Sequence, residues 1–406
     1  MTRHADDVAT AHLVTPKRYF VPLLGLYTAL VVFTTDVYLP VLPQLGADLG
    51  VSDSAAAATI STVLIGIAIG QLVIGPLSDA LGRKGPLLIG VLAYAVLHVA
   101  SALAPNINVL LAERVGAGIA AAACMAITRA MIADAFPGAS AAVGYSTLAA
   151  VIAVAPVIAP LVGGALANVM DWRGMFIVLA VIAFIFAVIG WFALPETLPK
   201  QRRIAVNAKV IAGELWAVTR HRRFLAFALA GAAMSGVLFS YIGSSAFVLE
   251  NRFGLTPQQF GYVFASNAVG IFAMSWLTRL IVLRVGPAKV LRIGQLLTLT
   301  GALVLALGLA TSQLPVLLIG LFMAIASIGM VGPTSTSLGM RAVIGGAGAA
   351  AGVMGITQFA TGALLSPIAS LGTTGWAMVL VILACAVIGL LGRVFLQHGT
   401  HEPSST

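Results

Sequence analysis

What most constrains this chain is a recurrence. Apolar runs of about 20 residues, the length a helix needs to cross a hydrocarbon core, repeat from Phe20 to Leu396 with only short polar breaks. The lipid core offers no water to backbone N–H and C=O groups, so each run must satisfy its own as a helix. Twelve such runs lie near 19–43, 55–78, 86–105, 107–135, 141–168, 173–194, 223–250, 258–283, 287–311, 314–340, 346–371 and 374–396. Composition agrees: 60% of the 406 residues are hydrophobic and 9% are charged, where soluble domains carry about 25% charge. The expected fold class is an all-α membrane protein of twelve transmembrane helices. The polar opening, MTRHADDVATAHLVTPKR, precedes a span that is too long for a cleaved signal and lacks the small-residue site, so it reads as retained.

The placement of charge sets the orientation. Twelve spans put both ends on one side, and on that side fall eighteen of the 22 lysines and arginines, among them Arg83, Lys84, Lys200, Arg203, Arg222, Arg223, Arg284 and Arg292. Arg173 and Arg252 lie in loops of the other side with Asp48, Asp53, Asp171 and Glu250, while Arg114 and Arg129 lie within the fourth span. The positive-inside rule then makes both termini cytoplasmic, as expected for a multi-pass protein of the cell (inner) membrane. The net charge of +9 is thereby topology, with attraction to anionic lipid as a side effect, and no nucleic-acid partner is expected. Cys124 and Cys385 both fall within spans, which argues against a disulfide scaffold or a thiolate metal site. There is no G-x-x-x-x-G-K-[ST], no H-E-x-x-H and no G-x-S-x-G. No cofactor and no enzymatic activity are expected, and an ion gradient must supply any energy for transport.

One long interior break, Leu194 to Arg223, divides the spans six and six. The expected organisation is a tail 1–18, a six-helix bundle 19–194, a cytoplasmic linker 195–222, a second bundle 223–396 and a tail 397–406. The halves echo each other: LGRKGPLLIG (Leu81 to Gly90) and RVGPAKVLRIG (Arg284 to Gly294) each form the basic loop between the second and third span of their half, with Gly82 and Gly286 in corresponding places. A duplicated six-span unit is what parallel repeats in transporters look like. Gly66 with Gly70 and Gly348 with Gly352 allow close helix packing.

GPLSDALGRKGPLL (Gly75 to Leu88) resembles the G-x-L-a-D-r-x-G-r-k signature between the second and third spans of the major facilitator superfamily. ERVGAGIAAA in span 4 is similar to the R-x-x-x-G pattern of its proton-coupled members, and APVIAPLVGG in span 5 to the G-P-x-x-G-G motif of its antiporters. TDVYLPVLP in span 1, Leu238 to Gly270, and LPETLP resemble the bicyclomycin and chloramphenicol resistance branch of the drug:proton antiporters, and the resemblance covers nearly the whole chain. Three positions depart: Ala159 replaces the glycine before Pro160, Arg129 is an extra charge in span 4, and Thr28 is not a second acid. The resemblance implies two pseudo-symmetric six-helix bundles, proton antiport and a monomer.

Asp36 is the one acid deep in any span, about 7 residues or roughly 10 Å from the outer end at 1.5 Å per residue. A carboxylate there costs roughly 2.5 to 3.5 kcal/mol, so its presence asks for a reason. Arg114 lies at about the same depth of span 4. One reading is a protonatable site biased in turn by burial and a nearby cation; the other is a static buried ion pair, with Arg114 alternatively snorkelling to the headgroups. His98, the single histidine within a span, reads as bonded to a neighbouring helix or as a proton relay.

The resemblance also implies a conformational latch at Gly75, Asp79, Gly82, Arg83 and Lys84, in which Asp79 meets the positive N-terminal end of span 11 near GGAGAAAG and Arg129 joins. Pro156, Pro160, Gly163 and Gly164 bend or pack span 5. Tyr38, Met125, Phe239, Tyr241, Asn267, Met330 and Gln358 offer polar tips among aromatic and methionine surface, suiting an amphiphile pocket, or else pack the core. The expected function is export of chloramphenicol- or bicyclomycin-like amphiphiles in exchange for protons by alternating access of two halves. The alternative is a proton-coupled carrier of a native metabolite such as a sugar or amino-acid derivative.

Overall fold

The computed structural model describes residues 17–136, 139–203, 213, 216–343 and 347–397. Most of both expected tails, residues 204–212, 214 and 215 of the expected linker, and Gly345 and Gly346 before span 11 lie outside the described residues.

Among the described residues there are helices and no strands. Ten helices are long and apolar enough to cross a membrane: Phe20–Asp48 (span 1), Asp53–Leu81 (span 2), Lys84–Leu103 (span 3), Ile107–Ala135 (span 4), Trp172–Ala193 (span 6), Arg222–Arg252 (span 7), Pro257–Val285 (span 8), Pro287–Ala310 (span 9), Leu314–Arg341 (span 10) and, within span 11, Gly352–Ala369. Spans 5 and 12 are helical over Ala139–Leu166 and Trp376–Gln397, and their described apolar stretches are shorter.

The chain alternates between two faces. The basic face carries the connections around Gly82 and the described residues 194–203 and 216–221; the distal face carries 49–52, 104–106, 167–171, 253–256, 311–313 and 370–375. Polar residues close the helix starts on the distal face. The side chains of Ser52, Asn106, Asp171 and Thr256 each accept a bond from a backbone N–H of their first turn, and Thr256 with Gln259 completes a capping box. On the basic face the echoed glycines end equivalent helices: Gly82 closes span 2 with φ +98° and Gly286 closes span 8 with φ +86°. That conformation strains any residue with a Cβ, so glycine is dictated twice by the same turn.

Packing repeats as well. Span 1 packs on span 5 as span 7 packs on span 11, span 3 on span 6 as span 9 on span 12, and span 2 on span 4 as span 8 on span 10. Small residues permit the closest approaches. A Cβ at Gly66 would lie 2.9 Å from the Gly118 Cα, and one at Gly70 2.6 Å from the Ala122 Cβ, so this stripe seats span 2 directly on span 4. Two contacts of equal kind join the halves, span 2 on span 11 and span 5 on span 8. On the distal face they close tightly: the Ser54 hydroxyl donates to the Pro367 carbonyl at 2.9 Å, and a Cβ at Gly261 of span 8 would come within 2.8 Å of the Pro160 carbonyl of span 5.

Two spans are broken. Span 1 leaves the α-helix after Asp36, makes a tight turn over Leu39–Val41 and resumes at Leu42–Asp48. Pro40 has no N–H to return to Asp36, which locates the break. Span 10 breaks at Ser327, whose hydroxyl lies 2.7 Å from that of Thr298.

Candidate functional site

Between the halves lies a cavity of about 230 Å³ walled by spans 1, 2, 4, 5, 7, 8, 10 and 11. Its lining is mostly aliphatic and aromatic, with Asp36 set into it next to Thr35. Asp36 is 4% exposed, and its Oδ1 accepts the Thr35 hydroxyl at 2.7 Å. Among the described residues no basic side chain comes within 4.0 Å of it. Opposite, in span 8, Asn267 donates to the Tyr241 hydroxyl at 3.0 Å, and the Tyr241 ring stacks on Phe264 with centroids 4.9 Å apart.

Arg114 is fully buried but serves a different wall of span 1. Its Nη2 donates to the Thr34 carbonyl at 2.6 Å, an acceptor that the break after Asp36 leaves without the backbone N–H of Tyr38. Its Nη1 lies 3.3 Å from His98 Nε2, while His98 Nδ1 lies 2.9 Å from the Tyr94 carbonyl. A carbonyl only accepts and a guanidinium only donates, so the imidazole must be neutral with its proton on Nδ1. Tyr38 and Phe176 cover the guanidinium carbon, with ring centroids 4.8 and 5.1 Å away. The direct Asp36–Arg114 pair weighed from the sequence is therefore not formed; Arg114 reaches Asp36's neighbourhood through the Thr34 backbone. His98 bonds Arg114 of span 4 and its own helix.

Of the seven residues expected at the pocket, Met125, Phe239, Tyr241 and Asn267 line the cavity. Tyr38, Met330 and Gln358 do not. The Tyr38 hydroxyl shares a bond with Thr59 of span 2 at 3.0 Å. Met330 is buried against Gly294 of span 9, and Gln358 is turned toward Gly231 of span 7. Sequence reasoning missed Thr35, Phe264 and Phe359, which do line it. Arg129, expected at the latch, lines the cavity too.

Span 5 supports the break in span 1. Gly163 faces the Val37 carbonyl and Pro40, and a Cβ there would collide with that oxygen. Gly164 faces the start of span 8, where a Cβ would lie 3.1 Å from the Pro257 carbonyl. Pro156 lines the cavity, and Ala159 is wholly buried.

At the basic face, Arg83 is held from three sides: Nε to Asp134 at 2.8 Å, Nη1 to the Ser78 hydroxyl at 2.7 Å, and Nη1 to Asp79 at 2.7 Å. Burial works against its charge, but the bond and charge of Asp134, then Asp79, hold the guanidinium above the usual arginine range. Glu196 accepts the backbone N–H groups of Arg83 at 2.8 Å and Lys84 at 3.3 Å, placing a carboxylate on the positive end of span 3. Lys84 Nζ donates to the Trp191 carbonyl at 2.8 Å. Gly75 has open space at its Cα, whereas a Cβ on Gly82 would meet Arg203 and Glu196. Asp79 thus finds its cation one turn away in Arg83. The helix of span 11 is described from Ala347, and Gly345 and Gly346, which open the expected GGAGAAAG start, lie outside the described residues. Asp134 and Glu196 were not singled out from the sequence, although Glu196 stands in LPETLP.

The model of the Major Facilitator Superfamily matches residues 24–369. The chain belongs to that superfamily. It is 32% identical over 373 residues to an uncharacterized transporter of the superfamily, YdgK, of Bacillus subtilis, covering 91% of this chain and 93% of that one. It is 28% identical to the bicyclomycin resistance protein homolog of Haemophilus influenzae (93% and 96% covered) and 29% identical to the chloramphenicol resistance protein of Pseudomonas aeruginosa (94% and 92%). Among solved structures, a bacterial homolog of the human lysosomal transporter Spinster superposes with a TM-score of 0.73 at 17% identity, covering 93% of this chain and 95% of that one. The fold is that of the superfamily, twelve helices in two six-helix bundles, and the chain is a multi-pass membrane transporter.

Proposed function

We propose that the protein exports drug-like amphiphiles of the chloramphenicol or bicyclomycin type in exchange for protons. The observation that carries this is Asp36, a buried carboxylate without a basic partner among the described residues, set in an apolar cavity between two halves. A carboxylate so placed is costly unless a proton or a cargo group meets it in turn. Only differential affinity of the two facings for these ligands can shift the equilibrium between them. Proton-bound Asp36 favours one facing, and proton-free, cargo-loaded protein the other. One proton moving down 100 mV yields about 2.3 kcal/mol, and tenfold accumulation of a neutral cargo costs about 1.4 kcal/mol.

In this reading the bundles 19–194 and 223–396 rock about the cavity, joined by the linker 195–222, as a monomer. The basic face is cytoplasmic, in the inner membrane. Arg114 positions Asp36 by holding the Thr34 carbonyl, the Pro156–Gly164 segment keeps the distal seam shut, and Asp79, Arg83 and Lys84 form part of a latch that opens as the halves separate.

The test is drug-driven proton release from everted vesicles, wild type against Asp36→Asn. Wild type should release protons on addition of chloramphenicol, and the variant should release none. Coupling retained in the variant with an unchanged pH profile would sink the assignment.

A further inference from the structure

The two contacts that join the halves differ in chemistry. Where span 8 meets span 5 the approach is backbone on backbone: a Cβ at Gly261 would lie 2.8 Å from the Pro160 carbonyl, and one at Gly164 3.1 Å from the Pro257 carbonyl. Where span 2 meets span 11, beside span 7, the distal half carries serines. The Ser54 hydroxyl donates to the Pro367 carbonyl and the Ser370 hydroxyl to the Gly243 carbonyl, each at 2.9 Å. Ser61 of span 2, Ser240 and Ser245 of span 7 and Ser366 of span 11 are at most 4% exposed, and their hydroxyls have no hydrogen-bond partner. Among the described residues no other buried hydroxyl lacks one.

The duplication sharpens the contrast. Spans 2 and 8 each run 29 residues to a closing glycine, and counted back from Gly82 and Gly286 the place of Ser61 is taken in span 8 by Ala265. A hydroxyl stands on one seam where a methyl stands on the other. Ser61 also shares the depth of Asp36. The Tyr38 and Thr59 hydroxyls meet at 3.0 Å, and spans 1 and 2 run in opposite directions, so Asp36 and Ser61, each two residues nearer the basic face, are level to within about one helical turn. Leu64 and Tyr241 line the cavity, and Ser61 and Ser245 each stand one turn from them toward the distal face. A buried hydroxyl without a partner is costly. Opening the serine seam to water returns those partners, whereas opening the contact of spans 5 and 8 only exposes packed backbone.

We propose that the distal side opens along spans 2, 7 and 11, with the contact of spans 5 and 8 as its hinge, and that this hydroxyl-lined seam is the route by which protons from the distal face reach Asp36. A hydronium ion on the hydrated seam gives its proton to the Asp36 carboxylate and leaves as water; the serine hydroxyls orient that water and keep their own bonds. The route rests on the export reading in taking Asp36 as the proton acceptor, and the direction of opening does not.

The experiment compares cysteines on the two seams, Ser61→Cys and Ser366→Cys against Ala265→Cys and Ala159→Cys, with wild type as the blank for the buried Cys124 and Cys385. A membrane-impermeant cationic methanethiosulfonate is applied to whichever side, in intact cells or everted vesicles, labels a Gln313→Cys control in the distal turn after span 9; the thiolate forms a disulfide with the reagent and expels methanesulfinate. The serine-seam cysteines should react at least roughly tenfold faster, the size of one restored hydrogen bond. Equal rates, faster reaction on spans 5 and 8, or no reaction on either seam would overturn the opening. Wild type is read in parallel by hydrogen–deuterium exchange in detergent, so the answer stands even where a cysteine variant fails to fold: residues 54–61 and 359–366 should exchange faster than 159–166 and 257–265, and equal or slower exchange would overturn it as well. Ser61→Ala should slow drug-driven proton release about tenfold with chloramphenicol affinity unchanged, and a wild-type rate would overturn the route. If wild type releases no protons, the export reading fails and the route to Asp36 with it, while the labelling still decides which seam opens.

Discussion

Two carboxylate regions of this molecule are built on opposite principles. At the basic face Asp79, Asp134 and Glu196 spend their charge on Arg83, on Thr197 and on the backbone N–H groups that open span 3. In the cavity Asp36 has the Thr35 hydroxyl and, among the described residues, no cation within 4.0 Å. The first arrangement pairs its charges within the basic face and fixes the turn between spans 2 and 3. The second leaves a carboxylate ready for a partner that comes and goes. Arg114, the cation expected beside Asp36, is instead met by neutral groups, the Thr34 carbonyl and the His98 imidazole. Burying it there keeps span 1 broken at the right residue without neutralising the acid two positions on.

The contrast can be broken at the paired end first. Arg83→Met leaves Asp134 without its cation, and removal of one partner from a buried pair costs about 3 kcal/mol. The full chain in detergent should show a clearly lowered melting temperature, and an unchanged one would mean that the cluster is not structural. Arg114→Gln should cost less, about 2 kcal/mol, the range for hydrogen bonds to a charged group. It should also shift the pH profile of drug-driven proton release, because Asp36 then loses the hold on its helix; a stability loss with no shift would reduce Arg114 to packing. Glu196→Gln weakens the carboxylate at the start of span 3 by about 1 kcal/mol, since the interaction is with a helix end that solvent partly reaches. Melting should fall slightly and transport should persist; loss of transport at unchanged stability would show that this carboxylate works as more than a cap. The smallest effect belongs to the cavity rim. Tyr241→Phe removes the partner of Asn267 and should alter drug affinity by about 1 kcal/mol with little change in melting.

How much could be read from the residues alone differs along the same line. The spans were legible because the lipid core demands about 20 apolar residues at a time, and the turns at Gly82 and Gly286 were legible because a positive φ leaves glycine as the fitting residue. Asp36 stood out as a charge in an apolar run. Which face of each helix looks into the cavity was not legible, since these helices are apolar all round and their rotation is fixed by neighbours. Tyr38 turns to Thr59, Met330 to Gly294 and Gln358 to Gly231, away from the cavity, while Phe359, one residue beyond Gln358, faces it. The partners of Arg83 were hidden for another reason. Asp134 and Glu196 lie 51 and 113 residues from it in the chain, and only the packing of spans 2, 3, 4 and 6 brings them together.

The most direct test of the central claim, that Asp36 exchanges a proton for cargo, is to count protons at the binding step itself. Chloramphenicol is added to the purified full chain in weakly buffered detergent, and the pH change is followed with an indicator dye for wild type and Asp36→Asn. Wild type should release protons on binding and the variant should bind without releasing any. Equal release from both would contradict the account.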